Sequence, residues 1–213
     1  MRKEHGERKE NEPTVDLNVV ILPDERTTGV LLDWSERIAS RFPTAYVLDR
    51  TNTLPHLSIY SAQYPARNQM GIEGAVGRIA QDRKPFDVQL SGFSAFSGFV
   101  FYDAVKDAAM NNIHESLVEG LNPLREGHIS KTQRQLTNLS EAQKEAIEDY
   151  GYVGVKELYK PHISVTKMLD PQQTDEAIAL LPRQDLIFSV RQIAIAPVAD
   201  YGTCLEPTNK FIL

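Results

Sequence analysis

The residues with the clearest capacity for chemistry are two histidines that lie in similar six-residue stretches. Residues 55–60 read PHLSIY, and residues 161–166 read PHISVT, with the second histidine 162 − 56 = 106 residues after the first. Both stretches have the order Pro, His, aliphatic, Ser, β-branched aliphatic, which is typical of a strand. Side chains alternate between the two faces of a strand, so the histidine and the serine of each stretch share a face.

A fold that joins these strands would place two imidazoles and two hydroxyls around one cavity. Histidine has an unperturbed pKa of about 6.5 and can therefore both accept and donate a proton near neutrality. Phosphodiester transfer needs such a base and acid, together with donors for the charged phosphoryl oxygens. We predict this chemistry for His56 and His162, with Ser58 and Ser164 as the donors and no metal or other cofactor.

Further residues around the two stretches are candidates for substrate contact. Tyr60 and Thr166 continue the faces that carry the histidines, and Lys160 adds positive charge. Lys167 stands at an odd offset from its histidine and is expected to point away from the cavity. A further His-Ile-Ser sequence, at residues 128–130, lacks the preceding proline and any strand alternation, so we assign it to a loop.

The elements that must position these residues follow from apolar spacing, caps and turn signals. We expect helices over residues 24–42, 65–81, 106–121, from Ser140 to 149 and over 171–181. Strands are expected at residues 15–22, 45–48, 86–90, 99–104, 186–198 and 201–205, in addition to the two motif strands. A polar stretch, residues 122–139, is predicted to be a mobile loop, and its basic residues, Arg125 among them, could reach over an anionic ligand.

Each half of the chain can be parsed as a motif strand, a helix and a strand hairpin, which suggests an internal duplication. The predicted fold is α+β, with two pseudo-symmetric lobes, each an antiparallel-rich sheet with helices outside, around a central cleft that carries the two His-x-Ser motifs. We expect one bilobal domain over residues 14–213, preceded by a disordered charged tail over residues 1–13.

Composition narrows the possible partners and locations. The net charge of −6 argues against sequence-independent binding of long nucleic acid and is compatible with a small nucleotide or an RNA end. No apolar run approaches the roughly 20 residues that span a bilayer. The single cysteine, Cys204, fits a reducing compartment. We therefore expect a cytoplasmic monomer with no membrane partner.

The paired motifs resemble those of the 2H phosphoesterase superfamily, which includes the RNA 2′,3′-cyclic phosphodiesterases also called 2′-5′ RNA ligases. That family has two His-aliphatic-Ser/Thr-aliphatic motifs about a hundred residues apart, one in each lobe of a pseudo-twofold α+β fold. The resemblance covers residues 15–213 and rests on residues 56–59 and 162–165. It implies an acid and base pair at His56 and His162, with no metal requirement.

Several alternatives remain open at this point. Two histidines can also ligate a metal, although such sites recruit further His, Cys or carboxylate ligands and neither motif has a carboxylate on its inward face. A non-catalytic nucleotide-binding module would share the cleft without turnover. The substrate could be a 2′,3′-cyclic phosphate end, a 2′-5′ linkage, a cyclic oligonucleotide or an ADP-ribose cyclic phosphate, and either histidine could be the base.

Overall fold

The computed structural model describes residues 12–213, so the predicted tail lies almost wholly outside the described residues. In this part of the chain eight strands form one antiparallel sheet. The strands are β1 Thr14–Ile21, β2 Leu57–Pro65, β3 Phe86–Phe96, β4 Phe99–Ala104, β5 His162–Lys167, β6 Leu186–Val190, β7 Gln192–Pro197 and β8 Asn209–Ile212. The helices are α1 Glu25–Ala39, α2 Gln69–Gln81, α3 Ala108–Leu121, α4 Lys131–Arg134, α5 Glu141–Tyr150 and α6 Thr174–Ala179.

Local sequence explains where several of these helices begin and end. Asp24 accepts a hydrogen bond from the Thr27 amide and caps α1. Ser140 and Gln143 form a reciprocal capping box at the start of α5. Gly151 ends that helix with a φ of 73°, a conformation that glycine adopts at little cost.

The strand order confirms an α+β fold with two related halves but changes how the chain is divided between them. The order is β6-β3-β4-β5-β2-β1-β7-β8, so the motif strands β2 and β5 are neighbours at the centre. The β3–β4 hairpin follows the first motif in sequence, yet β4 pairs with β5. Likewise β7 follows the second motif in sequence, yet it pairs with β1 beside β2. The halves are therefore interleaved, and the sequential parsing of the lobes is wrong.

Helices α1 and α3 cover one face of the central strands and leave the other face for the cleft. α1 packs against β5, and α3 packs against β2. Leu57 and Ile163 lie fully buried beneath these helices, in one core with Leu31 of α1 and Ile113 of α3. Because neighbouring residues of a strand face opposite ways, the histidines and serines of the motifs lie on the uncovered face.

Other predicted elements differ from the structure. Residues 45–48 form no strand, because strand-type pairing next to this segment is limited to the isolated Thr44–Met168 bridge. Residues 201–205 contribute one isolated bridge through Cys204, and the terminal strand of the sheet is β8 instead. The polar stretch 122–139, predicted as a loop, contains α4 and a preceding 3-10 turn. None of the described helices is long and apolar enough to cross a membrane.

Candidate functional site

Pairing between β2 and β5 brings the two motifs together. Leu57 is the partner of Ile163 in this antiparallel pair. Extending that register by one residue each way sets Ser58 opposite His162 and His56 opposite Ser164. Residues that face each other across a strand pair project from the same side of the sheet. All four predicted residues therefore lie on the open face. The two histidines are diagonal neighbours, a relation that places Cα atoms roughly 7–8 Å apart.

Each imidazole is held by the same backbone contact. Nδ1 of His56 lies 2.8 Å from the Leu54 carbonyl oxygen, and Nδ1 of His162 lies 2.8 Å from that of Lys160. A carbonyl oxygen can only accept, so Nδ1 carries the hydrogen in both rings and donates it. Nε2 of each neutral ring is therefore left with a lone pair that can accept a proton.

The two histidines differ in their electrostatic surroundings. Burial lowers the pKa of His56 below 6.5, and the proximity of His162 lowers it further, while the backbones of Leu54 and Gly202 act in the opposite direction. Burial also lowers the pKa of His162, but the Lys160 carbonyl and the Asp103 carboxylate oppose this. Asp103 is the β4 partner of His162. Of the two imidazoles, only His162 thus has a carboxylate among the groups that affect its pKa.

Each motif serine has a polar side chain with a buried polar atom beside it. The Asn18 amide, on β1, donates from Nδ2 to Ser58 Oγ at 2.7 Å, which leaves the serine hydrogen free for another acceptor. Burial raises the pKa of the Tyr46 hydroxyl, and the nearby Ser164 acts in the opposite direction. No well-formed hydrogen bond joins the two hydroxyls. Among the described residues, Asn18 Oδ1 and Tyr46 Oη are two of the three buried side-chain polar atoms without a partner.

A one-residue bulge in each motif strand explains why two predicted contacts are wrong. Val20 pairs with Ser58 and Val19 with Tyr60, so Ile59 is an extra residue, and Val165 is extra in the same way opposite β4. The side chain after each bulge is thereby turned to the helix-covered face. Tyr60 is 1% exposed and donates to the Tyr150 carbonyl, and Thr166 is 0% exposed and donates to the Tyr46 carbonyl.

The bulge at Val165 turns Lys167 toward the cleft, whereas its side chain was expected to point away from the cavity. Its partner on β4 is Phe99, which lies on the cleft face together with Phe101, the partner of Ser164. The Lys167 ammonium lies 4.6 Å from the Phe99 ring centre and 4.9 Å from that of Tyr201. Lys160, in contrast, is exposed and precedes the strand, and its carbonyl contacts His162.

A cavity of about 270 Å³ adjoins the first motif. Ser58, Asn18 and Ser61 form part of its wall, and other lining residues come from the 130–133 segment, from residues 151–152 and from the 198–202 turn. Arg125, predicted as a possible ligand for an anion, is 3% exposed and bonds to main-chain carbonyls of His128, Glu148 and Asp149. It therefore stabilises the 122–150 region from within.

Sequence reasoning missed Asn18, Tyr46, Asp103 and Tyr201, because these residues reach the site from segments without a motif. One signal for the bulges was present. Apolar positions in β2 change from odd to even numbers, from Leu57 and Ile59 to Ala62 and Tyr64, which a regular strand would not do. Within residues 12–213 no three His, Cys, Asp or Glu side chains are grouped so as to hold a metal ion.

Comparisons with known proteins agree with this architecture. The chain is 17% identical to TT0787 of Thermus thermophilus, with a TM-score of 0.60 over 93% of this chain and 97% of that one. It is 12% identical to E. coli LigT, with a TM-score of 0.54 over 94% and 98%, and 12% identical to the MHV ns2 PDE domain, with 0.51 over 87% and 99%. No curated protein matches the sequence.

A family model described as "Protein of unknown function (DUF1045)" matches residues 64–203, which is more than half of the chain. That range contains the second motif and most of the sheet, whereas the first motif precedes it. The likeness in fold extends over nearly the whole chain. The protein therefore belongs to the DUF1045 family and has a LigT-like fold.

Proposed function

We propose that this protein is a metal-independent phosphodiesterase that cleaves 2′,3′-cyclic phosphates or 2′-5′ phosphodiester bonds at RNA ends or in small nucleotides. The observation that carries the proposal is the arrangement of the two motifs. Two imidazoles whose Nδ1 atoms are already bonded to carbonyls lie diagonally on one face, each opposite the serine of the other motif. A phosphate between them would meet two Nε2 atoms and two hydroxyls.

The proposed reaction uses one histidine to accept a proton and the other to supply one. Nε2 of the neutral base takes a proton from the attacking water or hydroxyl as its oxygen bonds to phosphorus. The phosphorus–oxygen bond to the leaving group breaks, and Nε2–H of the protonated acid donates to that oxygen. Ser58 and Ser164 donate to the non-bridging oxygens, where charge builds up in the transition state.

We assign the acid to His162 and the base to His56. Asp103 faces His162 across β4 and β5 and favours its protonated form, whereas no carboxylate affects the pKa of His56. A general acid must begin the reaction protonated, and a general base must begin it neutral. The difference in surroundings therefore orients the substrate, with its leaving oxygen toward His162.

Structures with the same fold contain ligands of the proposed class. E. coli LigT has been crystallised with 3′-AMP, with ATP, with NADP⁺ and with phosphate. Another relative in fold carries the description phosphoesterase, and the viral ns2 domain is called a PDE domain. These ligands are nucleotides and phosphate, which supports a nucleotide phosphodiester as the substrate class here.

The proposal can be tested with a substrate panel in the presence of a strong chelator. The panel contains 2′,3′-cyclic nucleotides, RNA with a cyclic-phosphate end, linear 2′-5′ oligomers, cyclic dinucleotides and ADP-ribose cyclic phosphate. We expect cleavage of a cyclic phosphate or a 2′-5′ linkage, and the product identifies the broken bond. Saturable binding of these compounds without any turnover would instead indicate a nucleotide-binding module.

A further inference from the structure

The cavity beside the first motif has an unusual charge balance for a protein that acts on phosphates. Its wall includes two carboxylates, Asp16 and Asp200, and no lysine, arginine or histidine among the described residues. The other polar groups are hydroxyls and amides, among them Ser61, Thr132 and Gln133. Such a wall offers acceptors for hydroxyl hydrogens and repels an anion, since like charges a few ångströms apart cost about 1 kcal/mol or more.

A second observation indicates that this cavity is part of the reaction site. Asn18 lines it, is 2% exposed, and holds Ser58 through Nδ2, while its Oδ1 has no partner within the described chain. The hydrogen bond from Asn18 to Ser58 therefore connects the wall of the cavity directly to a motif serine. The Gly202 backbone, which affects the pKa of His56, also lines the cavity.

Positive charge lies at the other end of the cleft. β2 and β5 run in opposite directions, so Ser61 and Lys167 lie away from the histidine pair in opposite directions. The turn at residues 200–202 separates the two ends, with Asp200 and Gly202 at the cavity and the Tyr201 ring against the Lys167 ammonium. An anionic part of a substrate is therefore favoured near Lys167 and disfavoured in the cavity.

We propose that the cavity is a subsite for an uncharged, hydroxyl-rich group attached to the scissile phosphate, such as a sugar with free hydroxyls, and that it excludes a second phosphate. This inference rests on the proposed function, because the scissile phosphate must lie at the histidine pair. Its consequence is a preference for small or terminal substrates in which the group beyond the scissile phosphate is a neutral sugar.

The test compares a ribonucleoside 2′,3′-cyclic phosphate that has a 5′-hydroxyl with the same compound that has a 5′-phosphate. We expect the 5′-hydroxyl compound to have a kcat/KM about tenfold higher, mainly through KM, as one repulsive charge contact would give. The double variant Asp16→Asn with Asp200→Asn is expected to lose most of this preference. Asp82→Asn, at the exposed end of α2 and away from the cavity wall, is the matched control and is expected to keep it.

The outcomes separate the subsite from the function on which it rests. Equal kcat/KM values with both compounds in the wild type, in a reaction that His56→Ala abolishes, would overturn the subsite alone. A preference that survives in the double variant would overturn it as well. Absence of His56-dependent turnover with either compound would overturn the proposed function, and the subsite with it.

Discussion

At the scale of residues, the two histidines share one backbone contact and differ in their other neighbours, which are the Gly202 backbone at His56 and the Asp103 carboxylate at His162. Both Nδ1 atoms donate to a carbonyl two residues earlier in the chain. Both pKa values are lowered from 6.5, chiefly by burial. With a base and an acid that both titrate below about 6.5, kcat/KM should follow a bell-shaped pH profile centred below that value. A profile that is flat from pH 5 to 9 would contradict two-histidine catalysis.

The assignment of His162 as the acid predicts the effect of removing Asp103. Asp103→Asn takes away a group that raises the pKa of His162, so this pKa should fall. Because the acid must be protonated, the high-pH limb of the kcat/KM profile should move to lower pH while the low-pH limb stays in place. The measurement is the pH profile of both proteins, with Asp82→Asn as control. A shift of the low-pH limb would reverse the two roles.

Asn18 is a positioning residue, and the hydrogen-bond donor on its amide matters as much as its volume. Asn18→Asp would replace the donor to Ser58 with an acceptor and turn the serine hydrogen away from the phosphate. We expect kcat to fall by about 10- to 100-fold, the cost of losing one transition-state donor or somewhat less. Asn18→Leu should have a smaller effect, because it leaves the serine free to rotate. Equal kcat in all three proteins would refute the positioning role.

At the scale of elements, the bulges decide which side chains reach the cleft, and His114 holds one of them. This α3 residue donates from Nδ1 to the carbonyl of the bulge residue Ile59 and accepts the Lys156 amide at Nε2. Its ring stacks on Tyr159, with 3.8 Å between the ring centres. The contacts require a neutral ring, and burial, the largest influence, lowers the pKa of His114 to about 4.

Stability should therefore fall in mildly acidic solution. A folded-state pKa of about 4 lies below the unfolded value of 6.5, so the unfolded chain binds the proton more readily. The contribution of neutral His114 to the free energy of unfolding is fully present above pH 6.5 and is lost as the pH falls toward 4. The loss is at most about 3 kcal/mol. Urea unfolding at several pH values measures it. His114→Phe should flatten this dependence relative to the wild type, and an unchanged slope would contradict the assignment.

The amino-acid sequence predicted most helices and strands because caps and apolar spacing act locally. Asp24 and Ser140 begin their helices, and Gly151 ends one, as such residues generally do. The bulges at Ile59 and Val165 were not predicted, because strand alternation was assumed to continue through the motif. That single assumption accounts for the wrong placement of both Tyr60 and Thr166 and for the wrong orientation of Lys167.

At the scale of the whole molecule, the motif strands meet at the centre of one continuous sheet. Their similarity predicted a pseudo-symmetric pair, since the chemistry needs both histidines on one face. Which hairpin joins which motif depends on pairing between distant segments, and no local signal specifies it. The β4–β5 and β1–β7 pairs join residues that are far apart in sequence, as do the contacts of Asn18 and Asp103 with the site.

The most direct test of the central claim measures kcat/KM for a 2′,3′-cyclic nucleotide in a strong chelator, for the wild type and three variants. His56→Ala and His162→Ala should each lower kcat/KM by about 10²- to 10⁴-fold, because each removes the acid or the base. His128→Ala, from the His-Ile-Ser sequence outside the two motifs, should retain wild-type activity. Full activity of either motif variant, or activity of the wild type that appears only when a divalent metal is restored, would contradict two-histidine, metal-independent catalysis.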